Sequence, residues 1–271
     1  MEPALGMTLL WLLFAGTHVG LATRRVRTAL VDRWGEWGFR LLFTLVAAVL
    51  FTLLVRYYAD HRLEGAPGLA AGNLAALRWP LMTLIVLGVA LATGGLVAYP
   101  ASPTALFADR VRPPRGLARV TRHPFFVGLA LMALAHVLLA PRLVGTVFQG
   151  GFALLALAGA WHQDRKLLAQ RGAAYKEYLA STSIVPFGAV LAGRQRLVWG
   201  ELPLTALGAG LALAFALRFV HASLFANGGA WLVGVVLGVA GLATLQSWRH
   251  ARRGDVLRGG AVGAPRGVVR P

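Results

Sequence analysis

Apolar residues in this chain fall into long, predominantly apolar runs: 4–23, 37–58, 79–99, 124–140, 143–161, 202–222 and 229–248. Most have the roughly 20 residues a helix needs to cross about 30 Å of hydrocarbon. The runs predict an all-α, polytopic transmembrane helical bundle of about seven spans. Polar residues collect between the runs, and the number of basic ones alternates from loop to loop. Arg24, Arg25, Arg27 and Arg33 follow the first run, and Arg110, Arg112, Arg115, Arg119 and Arg122 follow the third. Arg165, Lys166, Arg171, Lys176, Arg194 and Arg196 follow the fifth, while the intervening loops hold few. Because cytoplasmic loops retain Lys and Arg, the amino terminus is expected outside and the carboxyl terminus in the cytoplasm. The expected location is a bacterial inner (cytoplasmic) membrane.

Composition supports this reading and narrows the chemistry. The chain is 57% hydrophobic and 14% charged, whereas soluble domains carry about a quarter charged residues. There is no cysteine, which removes disulfides, thiolate metal sites and a cysteine nucleophile. The formal charge of +17 is spread between apolar segments, with no basic domain and no aromatic stacking surface, so nucleic acid is not an expected partner. Membrane lipid is. The opening "MEPALGM" lacks the positive n-region of a signal peptide, so the first run reads as a retained span. Three regions result: a transmembrane domain over 1–222, an additional helix over 223–250, and a disordered basic tail over 251–271.

Ionisable side chains within spans are costly, which makes the histidines the main chemical resource. His18 lies about five residues from the arginine-rich end of the first span, His123 opens the fourth from the same side, and His162 closes the fifth there. His136 is thirteen helical residues from His123, roughly 20 Å away and on nearly the opposite face, so the two cannot share a metal ion. His61 and His221 fall at the other side and His250 in the tail. Each member of the set also has a structural reading. Proline after His123 makes a good helix start, His18 can hydrogen-bond a neighbouring helix, and His162 suits an interface.

Neutral imidazoles with arginines just outside suit haem, the nitrogens taking axial positions and the guanidinium groups pairing with propionates. His18, His123 and His162 form the convergent set from which ligands could come, and Arg24, Arg25, Arg119 and Arg122 lie at the depth of propionate partners. From Trp161 to Ala180 a helical extension is expected, with Leu167, Leu168, Tyr175 and Tyr178 on one apolar side and a break or bend at Gly172. Gly94, Gly95, Gly150 and Gly151 read as sites of close helix packing.

The segments "FAGTHVG", "RRVRTALVDRWGEWGFRLLFTLVAAVLF", "RGLARVTRHPFFVGLALMALAHVL" and "DRKLLAQRGAAYKEYLASTSIVPF", in that order, resemble the NnrU family of bacterial membrane proteins, whose relatives include zeta-carotene isomerases. The resemblance implies a haem b site with His18 and, as a second ligand, His123. It implies polyene isomerisation in the isomerase branch and nitric oxide or nitrite metabolism in the NnrU branch, with a small apolar or diatomic substrate. A looser resemblance, through "VTRHPFFVG" and "QRGAAYKEYLASTSIVP", is to isoprenylcysteine carboxyl methyltransferases. It implies S-adenosylmethionine as an alternative cofactor, with Asp164 at the acidic position. A third reading is a non-enzymatic accessory protein of a respiratory complex.

Overall fold

The structure, a computed structural model, describes residues 2–105, 108 and 110–262, without the side chains at 24, 247 and 250–262. The described residues form an all-α bundle whose only β feature is an isolated bridge between Pro67 and Arg142. Its helices are α1 (Pro3–Ala22), α2 (Arg24–His61), α3 (Ala75–Ala98), α4 (Leu117–Val120), α5 (Pro124–Leu139), α6 (Leu143–Ser181), α7 (Gly188–Leu191), α8 (Leu204–Val220) and α9 (Ala230–Val262). Each apolar run is the core of one of them.

Among the described residues, six helices are long and apolar enough to cross a membrane. The seventh run, α5, has 16 residues and rises about 24 Å, short of a full crossing. It lies in the middle of the bundle, between α3 and α6. Two long helices are divided by glycines in left-handed conformations that other residues resist. Gly35 (φ 72°) separates the arginine-rich first turns of α2 from its apolar part, and Gly172 (φ 51°) provides the break expected in the extension of α6. Helix α9 continues through Val262, into the stretch that composition reads as a basic tail. Residues 263–271 lie outside the described residues.

Close approach of backbones sets the crossing of α3 and α5. A Cβ on Gly88 would stand 2.7 Å from the carbonyl oxygen of Gly128, and one on Gly95 would strike the backbone of Phe125. Small residues permit such crossings where hydrocarbon offers no other driving force. Gly151 serves differently, because it makes room for the indole of Trp11. That indole belongs to a core of Met7, Trp11, Phe14, Phe51, Leu54, Val55, Val144 and Phe148 joining α1, α2 and α6.

The helices do not close up completely. Between α2, α3, α5, α6, α8 and α9 lies a cavity of about 1650 Å³, lined at one end by His123 and Arg122 and at the other by His136 and His221. Because thirteen residues of α5 separate the two histidines, this lumen runs roughly 20 Å along the bundle. Its middle is apolar, with Phe126, Leu129, Met132, Phe148 and Phe152 among its walls.

Candidate functional site

The segment leading into α5 is held on three sides. Gly116, with φ 54°, turns the chain into α4. The Thr121 hydroxyl then donates to the Ile184 carbonyl at 2.7 Å, the Arg122 amide to Ser183 O at 2.9 Å, and the Phe187 amide to Val120 O at 2.8 Å. Residues 120–122 are thus laced to the chain that follows α6. His123 occupies the N-cap of α5 with Pro124 in its first turn, as the sequence suggests, although its side chain makes no cap hydrogen bond. The imidazole turns instead toward α6.

There it meets Asp164. His123 Nε2–H donates to Asp164 Oδ1 at 2.7 Å, and the Tyr175 hydroxyl donates to the same oxygen at 2.7 Å. Arg122 donates to Oδ2 from Nε at 2.8 Å, and its Nη2 forms an ion-pair contact with the same oxygen at 2.8 Å. The cluster is almost dry, since the His123 side chain is 1% exposed and Tyr175 is fully buried. A buried carboxylate needs such company, because one left without partners in a low dielectric is strongly penalised. Three donors on one anion also fix the histidine's tautomer. In the neutral ring Nε2 then carries the shared hydrogen and Nδ1 the lone pair.

A second clasp stands one helical turn earlier. Arg119 donates to both carboxylate oxygens of Glu201, at 2.8 and 3.1 Å, and to Gln195 Oε1 at 2.8 Å. The Gly116 amide also donates to Glu201, at 2.9 Å. These bonds, from Arg119 first and from the amide next, hold the Glu201 carboxyl down at about 2.

His18 lies in a different setting. It sits on α1 with its ring stacked on Phe14 (centroids 5.5 Å apart) and tilted against Phe43 of α2 (4.8 Å). Its Nδ1 is buried and has no hydrogen-bond partner among the described residues. His18 does not line the lumen, whereas His123 does. His162 is exposed. His136 gives its Nδ1 to the Met132 carbonyl at 2.9 Å and lies parallel to His221, with ring centroids 6.1 Å apart.

The site residues named from the sequence are therefore dispersed. Arg119 and Arg122 each have a carboxylate within the chain, because a guanidinium drawn this far into the bundle requires a counter-charge. Arg25 is exposed at the start of α2, and the side chain of Arg24 is outside the described residues. Sequence reasoning missed Asp164 as the partner of His123, Tyr175 as its third donor, and Glu201 as the partner of Arg119. Eleven residues separate Asp164 from Tyr175, and the break at Gly172 between them means that no continuous helical spacing links the pair. Leu167, Tyr175 and Tyr178 are buried together as expected, but Leu168, one residue further round the helix, is exposed.

A haem implied by resemblance can be set against these groups. The donor chemistry fits, since His18 Nδ1 is unpartnered and His123 donates its other ring nitrogen to a carboxylate, as metal-binding imidazoles commonly do. Arg119 and Arg122 fit less well as propionate partners, being already paired. Among the described residues no group of three or more His, Asp or Glu side chains forms a metal site.

Comparison with known proteins adds a family. Residues 6–228 match the NnrU protein family. The chain belongs to it. It is 29% identical over 197 residues to the chloroplastic 15-cis-zeta-carotene isomerase of Zea mays, covering 70% of this chain and 52% of that protein. With the enzyme of the same name from Arabidopsis thaliana it shares 31% over 205 residues, 72% of this chain and 52% of the relative. The chain thus spans about half the length of the curated relatives it matches. No solved structure matches it. The family match ends before α9, yet α9 supplies Leu232, Val235, Val236 and Val239 to the lumen wall.

Proposed function

We propose that this NnrU family member is a multi-pass protein of the bacterial cytoplasmic membrane that isomerises an extended, polyene-like apolar molecule held in its lumen. The observation that carries this reading is the shape of the cavity, a roughly 20 Å apolar passage ending on the His123–Asp164 cluster. Its 1650 Å³ exceeds the 300–1,000 Å³ typical of pockets for compact ligands. A diatomic substrate such as nitric oxide would leave nearly all of it unused, so volume favours a long molecule. The names of the plant relatives point to the same chemical class.

The chain's own residues do three things in this scheme. The apolar walls exclude water and hold a chain of double bonds in one shape, so that isomers differ in fit along the whole length. Asp164, gripped by Arg122 and Tyr175, holds His123 in one tautomer with Nδ1 as its open nitrogen. The arginine-rich loops keep this end at the cytoplasmic face. His18 and His123 are the residues that would hold a haem b, and that group would supply a one-electron couple.

Purified protein incubated with 15-cis-zeta-carotene, with and without reductant, should convert the 15-cis isomer, as read by chromatography, and should show a Soret band. Absence of conversion in either state, from protein lacking any Soret band, overturns the proposal.

A further inference from the structure

The charge of the lumen goes beyond what a hydrocarbon would need. Arg78, Arg112, Arg115, Arg122 and Arg218 all line it, and among the described residues no aspartate or glutamate does. Arg122 is neutralised by Asp164, and Arg78 donates to the Gly72 carbonyl. Arg112 and Arg115, at the His123 end, are exposed, and their guanidinium groups make no ion pair or hydrogen bond with another described residue. Arg115 does lie within electrostatic reach of Glu201, but that carboxylate is already occupied by Arg119 and the Gly116 amide.

Two further polar groups at this end lack partners. Tyr178, 4% exposed, has its hydroxyl buried without a hydrogen bond, and so has the Gln163 side-chain oxygen. Both residues line the lumen. Buried hydroxyls are nearly always paired, so an unpaired one beside a cavity marks a place where another molecule completes the bond. A phenol donates best to an anion, and guanidinium groups bind oxyanions in a matching geometry.

We infer that the lumen's ligand in this protein is an anionic amphiphile, with a carboxylate or phosphate head at Arg112, Arg115 and Tyr178 and an apolar chain reaching toward His136. The inference rests on the reading above that the lumen is the ligand site. It adds what a pure hydrocarbon cannot supply, a counter-charge for two arginines and an acceptor for the buried phenol. The head fixes the register of the chain, and with it which double bond lies beside His123.

The test uses cis-parinaric acid, a fluorescent polyene carboxylate, and its methyl ester, titrated into the purified full-length protein in detergent. The acid should bind about tenfold or more tighter than the ester, the value of a hydrogen bond to a charged group. Arg112→Ala with Arg115→Ala should remove that difference by weakening the acid alone, and Tyr178→Phe should remove part of it. Sodium oleate should displace the acid, and inorganic phosphate at the same concentration should not. Equal binding of acid and ester by the unaltered protein overturns the anionic head while leaving the lumen as an apolar site. Binding of neither overturns both readings. Displacement by inorganic phosphate as effective as by oleate overturns the amphiphile in favour of a free anion.

Discussion

His18 and His123 look alike in the sequence, each an imidazole near the arginine-rich end of an apolar run, but the fold treats them oppositely. His123 is locked by a carboxylate that two other side chains hold in turn, and it faces a large cavity. His18 rests between two phenylalanines with a ring nitrogen that nothing satisfies. The first arrangement resists change because Asp164 and Arg122 each need the other as a counter-charge and His123 and Tyr175 complete the carboxylate's hydrogen bonds. The second leaves a buried ring nitrogen without a hydrogen-bond partner among the described residues. Geometry therefore separates the two, with His123 fixed by polar contacts and His18 by ring packing alone.

The largest effect follows from breaking the positioned side. Asp164→Ala leaves Arg122 and His123 in a dry site without their anion, and a buried pair broken in this way costs about 3–5 kcal/mol. Thermal unfolding in detergent should show a drop of that order. Tyr175→Phe, which removes one hydrogen bond and no charge, should cost about 1–3 kcal/mol. If Asp164→Ala unfolds at the temperature of the unaltered protein, the cluster does not hold this end of the bundle.

Glycines offer a sharper contrast between the two settings. Gly88 lies on α3 where it meets α5, the helix that carries His123, and a methyl group there would stand 2.7 Å from a carbonyl oxygen. Gly88→Ala should destabilise by about 1–3 kcal/mol through overpacking. Gly16 lies on α1, two residues before His18, and a methyl group there meets nothing within 4 Å. Gly16→Ala should be neutral or stabilising by about 0.5–1 kcal/mol, the helix propensity difference. Equal penalties for the two would mean that α1 and α5 are packed alike.

His18→Phe should change stability by less, since the ring volume is kept and only an unpaired nitrogen is lost; a gain of up to about 1 kcal/mol is expected. The same variant should lose any Soret absorption. A loss of more than about 2 kcal/mol with the spectrum retained would make His18 a structural residue.

The spans were legible because a run of about 20 apolar residues has one physical outcome in a bilayer, and all seven runs became helices. The break at Gly172 was legible from one glycine in an amphipathic stretch. The site was legible only in its histidines. Asp164 and His123 are 41 residues apart with a helix reversal between them, and no local pattern states that they touch. Glu201 and Arg119 are 82 apart, in a stretch where glutamate is one of few acids but carries no periodic signal. A buried cation implies a counter-charge somewhere, so counting Arg119 and Arg122 against the nearby acids would have pointed to these partners without placing them.

The smallest effect concerns that second clasp, which holds the turn into α4 and has no counterpart on α1. Glu201 titrates in the folded protein at about 2, against an ordinary value of 4.5, because Arg119 and the Gly116 amide favour its charged form. A carboxyl whose folded value is depressed contributes stability that is complete above its unfolded value and disappears as pH falls through the folded one. The difference in unfolding temperature between the unaltered protein and Glu201→Gln should therefore be constant above about pH 5.5, shrink between 4.5 and 2, and vanish below. Because the side chain is 27% exposed, water and salt screen the pair, and the difference should fall further as ionic strength rises. A difference that persists unchanged at pH 2 would show that Glu201 acts through packing and not through its charge, and that α4 is held by Thr121 and the backbone alone.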